Sequence, residues 1–369
     1  MRQKANLRAI ANRREIDLVI RATWLTCKLE MEGLLFASCL ASVFCAQPAP
    51  PPAAPVTPPP PPSAGSVVEK DPALKAIASA DTKIEKLADG FIFTEGPIWV
   101  KEGGEGLLFS DIPNNRIVKW SPDGKVSEFR KPSGYTGAPA PEGAYIGSNG
   151  LTLDKEGRLT ICEHGDRRVT RLEKDGKLTV LADKYQGKRL NSPNDAVYKS
   201  DGSLYFTDPP YGLFDEEKKE LAFQGIYRLT ADGKLQLLNK ELSRPNGLAF
   251  SPVEKTLYVA NSDPEKKLWM AYEVAANGTL SKGRVFFDVT AEKEEGLPDG
   301  LKVDTQGNVY CTGPGGIWIF SSDGKNLGTI KPTEVPANCH WGDADGKTLY
   351  MTARKGLYRV RLNIAGIRP

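Results

Sequence analysis

The chain has 369 residues and a formal net charge of +3, with 26% charged and 40% hydrophobic residues. This near balance of charge, with no basic stripe interleaved with aromatic residues, excludes a nucleic-acid partner and fits an ordinary globular domain. Length alone permits two domains, but single all-β domains of this size are common.

The first 46 residues predict an export signal. Basic residues precede a short apolar run over 34–45, and small residues follow it. The run is too short for a helix that spans a membrane. We therefore expect an exported protein, periplasmic or secreted, without a stable membrane span. Plain cleavage near Cys45 or Ala46 is favoured over a lipid anchor on Cys39.

Residues 47–82 predict a linker. They begin with a Pro/Ala tract that includes the run Pro58–Pro62, and such a tract stays extended and semi-rigid. The stretch 67–80 is compatible with a short helix or with a loose approach to the fold. We expect residues 1–66 to be removed or unpacked, and the folded domain to cover 83–369.

An oxygen-bearing residue followed by a short apolar strand recurs six times, at intervals of roughly 39–54 residues, the period of a propeller blade. A turn and a second apolar strand follow each copy. The pattern predicts an all-β fold, a six-bladed β-propeller with four antiparallel strands per blade. The six oxygen-bearing residues are Glu95, Asn149, Asn194, Asn246, Asp299 and Asn338.

Two features of the predicted ring concern its closure and its loops. Ile84–Leu87 alternates as a strand does and is expected to pair with the strand over Leu357–Leu362, so that both chain ends close one blade and leave no free edge. Two insertions, Pro132–Ile146 and Pro209–Phe223, are expected to form loops over one face, where binding residues tend to lie.

The first strand of each blade lines the channel of a propeller, so the six oxygen-bearing residues are expected to converge near its axis. Two carboxylates and several amide carbonyls form a set of hard oxygen atoms, which suits one divalent cation, calcium best. No Cys or His set has the spacing of a zinc site. Cys162 and Cys311 are expected to be small buried residues on strands, with one disulfide and a free thiol as the alternative.

The motifs resemble the family that includes gluconolactonase, regucalcin (senescence marker protein), the luciferin-regenerating enzyme and diisopropylfluorophosphatase. They occur in one order and one register over about residues 83–362. The motifs that carry the resemblance are Thr94–Trp99, Cys162–Arg171, Ser192–Asp195, Arg244–Ser251 and Leu297–Gly300.

The resemblance implies a six-bladed propeller with calcium or another divalent ion in the channel. Glu95, Asn246 and Asp299 match the family's metal ligands, and Asn194 matches an asparagine that touches metal or substrate. Asp299 also matches the carboxylate that acts as base or nucleophile. Ser192 stands where the family often has an arginine that contacts the substrate, which argues against a phosphorylated substrate.

Lactone hydrolysis needs a polarised carbonyl group and an activated water molecule. A channel-bound divalent ion would supply the Lewis acid, and Asp299 would take the proton from water. Asn149 and Asn194 are candidates for binding the substrate, as are His164 and His340, the chain's two histidines.

Three functions remain open at this point. The first is a metal-dependent hydrolase that opens a small-molecule sugar lactone such as gluconolactone. The second is a phosphotriester or organophosphate hydrolase that uses the same site. The third is a non-enzymatic propeller, against which the two channel carboxylates argue. In each case we expect a monomer or a weak oligomer.

Overall fold

A computed structural model describes residues 62–101, 104–214 and 218–368 of the chain. In this part of the chain, six antiparallel sheets are arranged in sequence order, five with four strands and one with five. The predicted all-β, six-bladed propeller is confirmed. The predicted export signal and most of the Pro/Ala tract lie outside the described residues.

Blades 1 to 3 are each formed by four strands that are consecutive in the chain. Blade 1 contains Thr94–Val100, Gly106–Asp111, Arg116–Trp120 and Val126–Arg130. Blade 2 contains Ser148–Leu153, Leu159–Glu163, Arg168–Leu172 and Leu178–Ala182. Blade 3 contains Ala196–Tyr198, Leu204–Asp208, Gly225–Leu229 and Leu235–Asn239. A two-stranded hairpin lies between blades 2 and 3, formed by Lys184–Tyr185 and Lys188–Arg189.

Blades 4 to 6 repeat this arrangement, and the last two also recruit strands from the start of the domain. Blade 4 contains Pro245–Phe250, Thr256–Asp263, Lys266–Glu273 and Arg284–Asp288. Blade 5 contains Leu301–Val303, Val309–Gly313, Gly316–Phe320, Asn326–Pro332 and Gly65–Glu69. Blade 6 contains Pro336–Gly342, Thr348–Ala353, Gly356–Arg361 and Ile84–Ala88.

The ring closes as the sequence predicts. Ile84–Ala88 pairs antiparallel with Gly356–Arg361, and Ile84 lies opposite Val360. The outer strand of the last blade therefore comes from the beginning of the domain, which locks the first and last parts of the propeller together.

The predicted linker over 47–82 is wrong in its second half. Gly65–Glu69 pairs with Asn326–Pro332 as a fifth strand of blade 5, and a 3-10 helix follows at Pro72–Ala76. Val67, Leu74 and Ile77 are buried in the core between blades 5 and 6. Burial of these apolar side chains stabilises the packed segment, so the fold includes the strand Gly65–Glu69 and does not begin at 83.

Apolar side chains of adjacent blades fill the space between them. Trp341 of blade 6 meets Tyr310 of blade 5 edge to face, with ring centroids 5.1 Å apart, and both are fully buried. Cys162 and Cys311 are buried and unpaired, as expected. This packing makes the blades rigid walls for the channel.

The described residues include no helix with the length and apolar character needed to span a bilayer.

Candidate active site

A local irregularity of the inner strands turns the predicted site residues toward the channel. In four blades the pairing register between the first and second strands shifts next to Glu95, Asn149, Asn246 or Asn338. A bulge of this kind breaks the alternation of a strand and redirects a side chain. The start of each inner strand can thus present its oxygen atoms to the axis.

The glycine after four of these residues is required by the close approach of adjacent inner strands. A Cβ atom on Gly300 would lie 2.0 Å from the side chain of Asn338, and one on Gly96 would lie 2.0 Å from the carbonyl oxygen of Asn149. Gly96 also has a φ of +55°, which side chains disfavour. The residue–glycine pairs are therefore contacts between blades and not isolated turn signals.

A cavity of about 330 Å³ opens at this end of the channel. Five of the six convergent residues and one of the two histidines line it, and the lining residues that the structure describes include no Lys or Arg. Tyr145 and Tyr211 reach it from the two insertions predicted to cover one face. The lining residues are Phe93, Glu95, Ile112, Tyr145, Asn149, His164, Asn194, Tyr211, Asn246, Ser262, Leu297 and Asp299.

Glu95 is a buried carboxyl group with two hydrogen-bond donors. Its Oε2 accepts hydrogen bonds from Asn338 Nδ2, at 2.9 Å, and from the backbone N–H of Gly96. Burial, and then the charge of nearby Asp195, raises the pKa of Glu95 to about 7. The two donors only partly offset the cost of ionising it in the interior.

Asp299 is partly exposed to the cavity but otherwise enclosed by protein. Burial raises its pKa well above the usual range, and the charges of Glu95 and Asp195 add to the effect. Two carboxyl groups this close cannot both ionise cheaply without a compensating positive charge. The pair is therefore suited to binding a cation.

The asparagine side chains are held by neighbours on one side. Asn246 Nδ2 donates to Ser262 Oγ at 2.9 Å, which leaves its carbonyl oxygen available to the cavity. Asn149 Nδ2 lies 3.1 Å from His164 Nε2, and Asn149 Oδ1 is buried without a hydrogen-bond partner. An unpaired buried oxygen is costly, so Asn149 Oδ1 is suited to accept a hydrogen bond from a ligand or to contact a cation.

His164 is fixed as a neutral ring. Its Nδ1 lies 3.3 Å from the carbonyl oxygen of Tyr145, which assigns the proton to Nδ1 and leaves Nε2 to accept from Asn149. Burial lowers the pKa of His164 to about 4. The ring therefore orients the Asn149 amide and does not serve as a cationic acid.

The oxygen atoms of the cavity fit a hard divalent cation. Glu95 and Asp299 supply negative charge, while Asn194 and Asn246 supply amide oxygens, the ligand types that calcium prefers. Across the described ranges, no group of three or more His, Cys, Asp or Glu side chains could hold a metal ion. A cation at this position would consequently depend on the asparagine oxygens as well as on the two carboxylates.

The structure does not bring His340 to this cavity. Its Nδ1 donates to its neighbour Trp341, with 2.7 Å to the carbonyl oxygen, and its ring lines a second cavity of about 490 Å³. We call this the far cavity, because it is lined by the later residues of the inner strands, such as Leu151, Leu248 and Lys302. The structure thus places His340 apart from the other predicted site residues, and its substrate-binding role stays a prediction.

Two further residues differ from expectation. Asn338 is not a lining residue; it lies behind Glu95 and bridges it toward Asp195, 3.5 Å from Asn338 Nδ2. Asp195 is a third channel carboxylate, only 4% exposed, that sequence reasoning missed. The sequence does contain a signal for this residue: Asp195 occupies the position that glycine takes in four other copies of the repeated motif.

The fold and the site define a class: a six-bladed propeller with a cavity of carboxylate and amide oxygens at one mouth of its channel. Residues 93–355 match the model of the SMP-30/Gluconolactonase/LRE-like region. The chain belongs to this family, which confirms the resemblance carried by the strand motifs.

Individual relatives agree with this assignment. A gluconolactonase from Zymomonas mobilis is 41% identical over 314 residues, covering 82% of this chain and 87% of that protein. The solved structure of a gluconolactonase from Xanthomonas campestris has a TM-score of 0.72 and 34% identity, and covers 83% of this chain and 99% of its own. The expected enzyme class, a gluconolactonase-like hydrolase, is confirmed.

A more distant relative is the diisopropyl-fluorophosphatase of Loligo vulgaris. It is 25% identical over 291 residues, covering 72% of this chain and 87% of that protein.

Proposed function

We propose that this protein hydrolyses an uncharged sugar lactone such as gluconolactone, with one divalent cation, calcium, held in the cavity by Glu95, Asn194, Asn246 and Asp299. The observation that carries the proposal is the lining of the cavity. It combines two carboxyl groups and three asparagines with no Lys or Arg, in a chain 41% identical to a gluconolactonase.

The charge of the cavity supports an uncharged substrate. A phosphorylated lactone would place its negative charge beside Glu95 and Asp299 with no lysine or arginine in the lining to offset it. The volume of about 330 Å³ is at the small end for ligand pockets and suits a monosaccharide-sized molecule.

Asp299 is assigned the proton transfers. As the oxygen of water bonds to the carbonyl carbon, the Asp299 carboxylate accepts the proton that the water loses. When the ring C–O bond breaks, Asp299 returns that proton to the ring oxygen, and a hydroxy acid is released. Burial and the charge of Glu95 raise the pKa of Asp299, which makes its carboxylate a stronger base than an ordinary exposed one.

The other residues bind and orient. Asn149 and Asn194 face the cavity as hydrogen-bonding partners for substrate oxygens, and His164 acts through Asn149 by fixing its amide. A bound divalent cation would polarise the lactone carbonyl and lower the pKa of water. Glu95 contributes negative charge that favours retention of that cation.

A second candidate is hydrolysis of an uncharged phosphotriester or fluorophosphate. The similarity to diisopropyl-fluorophosphatase and a cavity lining without cationic side chains favour it over substrates that carry a phosphate charge. At 25% identity, against 41% for the gluconolactonase, it ranks second.

A substrate panel separates the two candidates. δ-Gluconolactone, δ-valerolactone and diisopropyl fluorophosphate are assayed with calcium and again with excess EDTA. We expect the highest kcat/KM for δ-gluconolactone and loss of that activity in EDTA, with recovery when calcium is returned. Turnover of the fluorophosphate alone would replace the lactonase proposal. Full activity in EDTA would show that hydrolysis does not require the cation.

We also propose that the protein is exported, on the basis of the charged segment and apolar run in its first 46 residues. Intact mass measurement of the protein from its source would test this. A mature chain that begins near Ala46 supports export with plain cleavage, a lipid-modified Cys39 supports an anchor, and a chain that retains Met1 contradicts cleavage.

A further inference from the structure

Among the described residues, two side chains that line the cavity each carry a buried polar atom without a hydrogen-bond partner. One is Asn149 Oδ1, an acceptor, and the other is the hydroxyl of Tyr211, a group that both donates and accepts. Both residues line the same cavity. Because buried polar groups are nearly always paired, two unpaired ones on residues that line the same cavity point to a ligand that completes them.

The loop around Tyr211 is anchored, so the hydroxyl is held in place before any ligand binds. The N–H of Gly212 donates to Ser192 Oγ at 2.8 Å, and the N–H of Ser192 donates to Asp208 Oδ1 at 2.7 Å. The guanidinium of Arg244 stacks 5.7 Å from the centre of the Tyr211 ring. A side chain fixed on both sides loses little freedom on binding, which favours a role in recognition.

The neighbours of the Tyr211 hydroxyl already have partners. Asn246 Nδ2 donates to Ser262 Oγ, and Ser262 Oγ donates to the carbonyl oxygen of Pro298. Ser262 and Asn246 stand beside the hydroxyl without hydrogen-bond geometry to it. The Tyr211 hydroxyl can therefore donate a hydrogen bond to a ligand oxygen.

We propose that Tyr211 is a specificity-determining residue whose hydroxyl hydrogen bonds to a ring hydroxyl group of the substrate, with Asn149 Oδ1 accepting from a second one. The inference rests on the proposed lactonase function and deepens it. A polyhydroxylated lactone satisfies both atoms, whereas an alkyl lactone leaves them unpaired. A site built to hydrogen bond a hydroxyl group discriminates strongly against the analogue that lacks it.

The test compares two lactones that differ in their hydroxyl groups. kcat and KM are measured at saturating calcium for δ-gluconolactone and δ-valerolactone, with wild type, Tyr211→Phe and Tyr227→Phe. Tyr227 is the matched control, because its hydroxyl is also buried without a partner but lies in a blade core outside the cavity. Melting temperatures of all three proteins confirm that each is folded.

We expect Tyr211→Phe to lower kcat/KM for δ-gluconolactone by about tenfold or more, mainly through KM, and to change δ-valerolactone hydrolysis by less than about twofold. Tyr227→Phe should leave the ratio of the two substrates unchanged.

Three results would overturn the inference. An equal loss on both lactones would assign the hydroxyl to the carbonyl group or to structure, and no loss on either would mean that the substrate does not use it. If the wild type hydrolyses neither lactone, the lactonase function fails and this inference fails with it. If the wild type is active but Tyr211→Phe leaves the ratio of kcat/KM for the two lactones unchanged, only the role of Tyr211 is refuted and the lactonase function stands.

Discussion

The two mouths of the channel are built from the same six inner strands and differ in character. The site cavity is formed where these strands begin, and its lining contains two carboxyl groups and no Lys or Arg. The far cavity is formed where they continue, and its lining contains six Lys or Arg residues and three Asp or Glu residues. The site cavity is acidic, whereas the far cavity is basic and is also lined by apolar residues such as Leu151 and Leu248.

The larger cavity is not the candidate site, and the reason lies in how its charges are paired. In the far cavity, Arg158 bonds Asp154 at 2.8 Å and Lys199 lies 3.2 Å from Glu254. In the site cavity, Asn149 Oδ1 and the Tyr211 hydroxyl are unpaired and carboxyl groups face each other. Paired charges stabilise a surface, whereas unpaired groups and shifted pKa values indicate a place for a ligand.

The largest loss of activity is expected from replacement of Asp299, the proposed base at the site cavity. Asp299→Asn keeps an oxygen ligand but removes the group that accepts a proton, so kcat for δ-gluconolactone should fall by about 10²–10⁴-fold. Calcium affinity should change far less than kcat. Steady-state kinetics with calorimetric calcium titration measure both, and wild-type turnover by this variant would show that the mechanism is wrong.

The negative charge at the site mouth should control cation binding. Glu95→Gln removes one charge from the proposed ligand set, and we expect calcium affinity to fall at least about tenfold, because a unit charge near another in a protein is worth a few kcal/mol. Asp154→Asn, at the far cavity, is the matched control and should leave affinity unchanged. Equal affinities for wild type and Glu95→Gln would mean that the cation site is misplaced.

The two histidines provide a matched pair, one at each mouth. Substitution by Asn removes the Nε2 of the ring while keeping a polar atom near Nδ1. His164→Asn should free the Asn149 amide and lower kcat/KM by about tenfold, the size of effect that loss of one hydrogen bond gives. His340→Asn should stay within about twofold of wild type. A larger loss of kcat/KM in His340→Asn would support the prediction that His340 binds substrate.

The smallest expected effect is on the pH dependence of stability in EDTA. Burial raises the pKa of Glu95 from 4.5 to about 7 and that of Asp208 from 3.8 to about 7. Between those values the two carboxyl groups bind more protons in the native state than in the unfolded state, so their contribution to stability is greatest at the acidic end and is lost as pH rises through about 7. Burial lowers the pKa of His164 from 6.5 to about 4 and that of His340 to about 3, which opposes this trend below pH 6.5.

Melting temperatures in EDTA should therefore drop by a few degrees between pH 6.5 and about pH 8, with a shallower slope in Glu95→Gln. Added calcium should reduce the slope, since it compensates the carboxylates. A melting temperature that rises across this range in EDTA would contradict the pKa shifts.

The sequence by itself determined the propeller and most of the site, because both follow from a repeat. An oxygen-bearing residue before each inner strand, usually followed by glycine, marks the same position in every blade, and equal positions converge at the axis. Glu95, Asn149, Asn194, Asn246 and Asp299 line one cavity for this reason. The pairing of Ile84–Leu87 with the last blade followed from its alternation and from the need to cover an edge.

Tertiary structure alone decided the direction of individual side chains and the fate of the segment without a repeat. A shift of one residue along a strand reverses the face a side chain occupies, so sequence could not show that Asp195 turns into the channel or that His340 faces the far cavity. Likewise, Gly65–Glu69 has no strong pattern of its own. It becomes a strand because blade 5 offers an open edge at Asn326–Pro332 and a core that buries Val67 and Leu74.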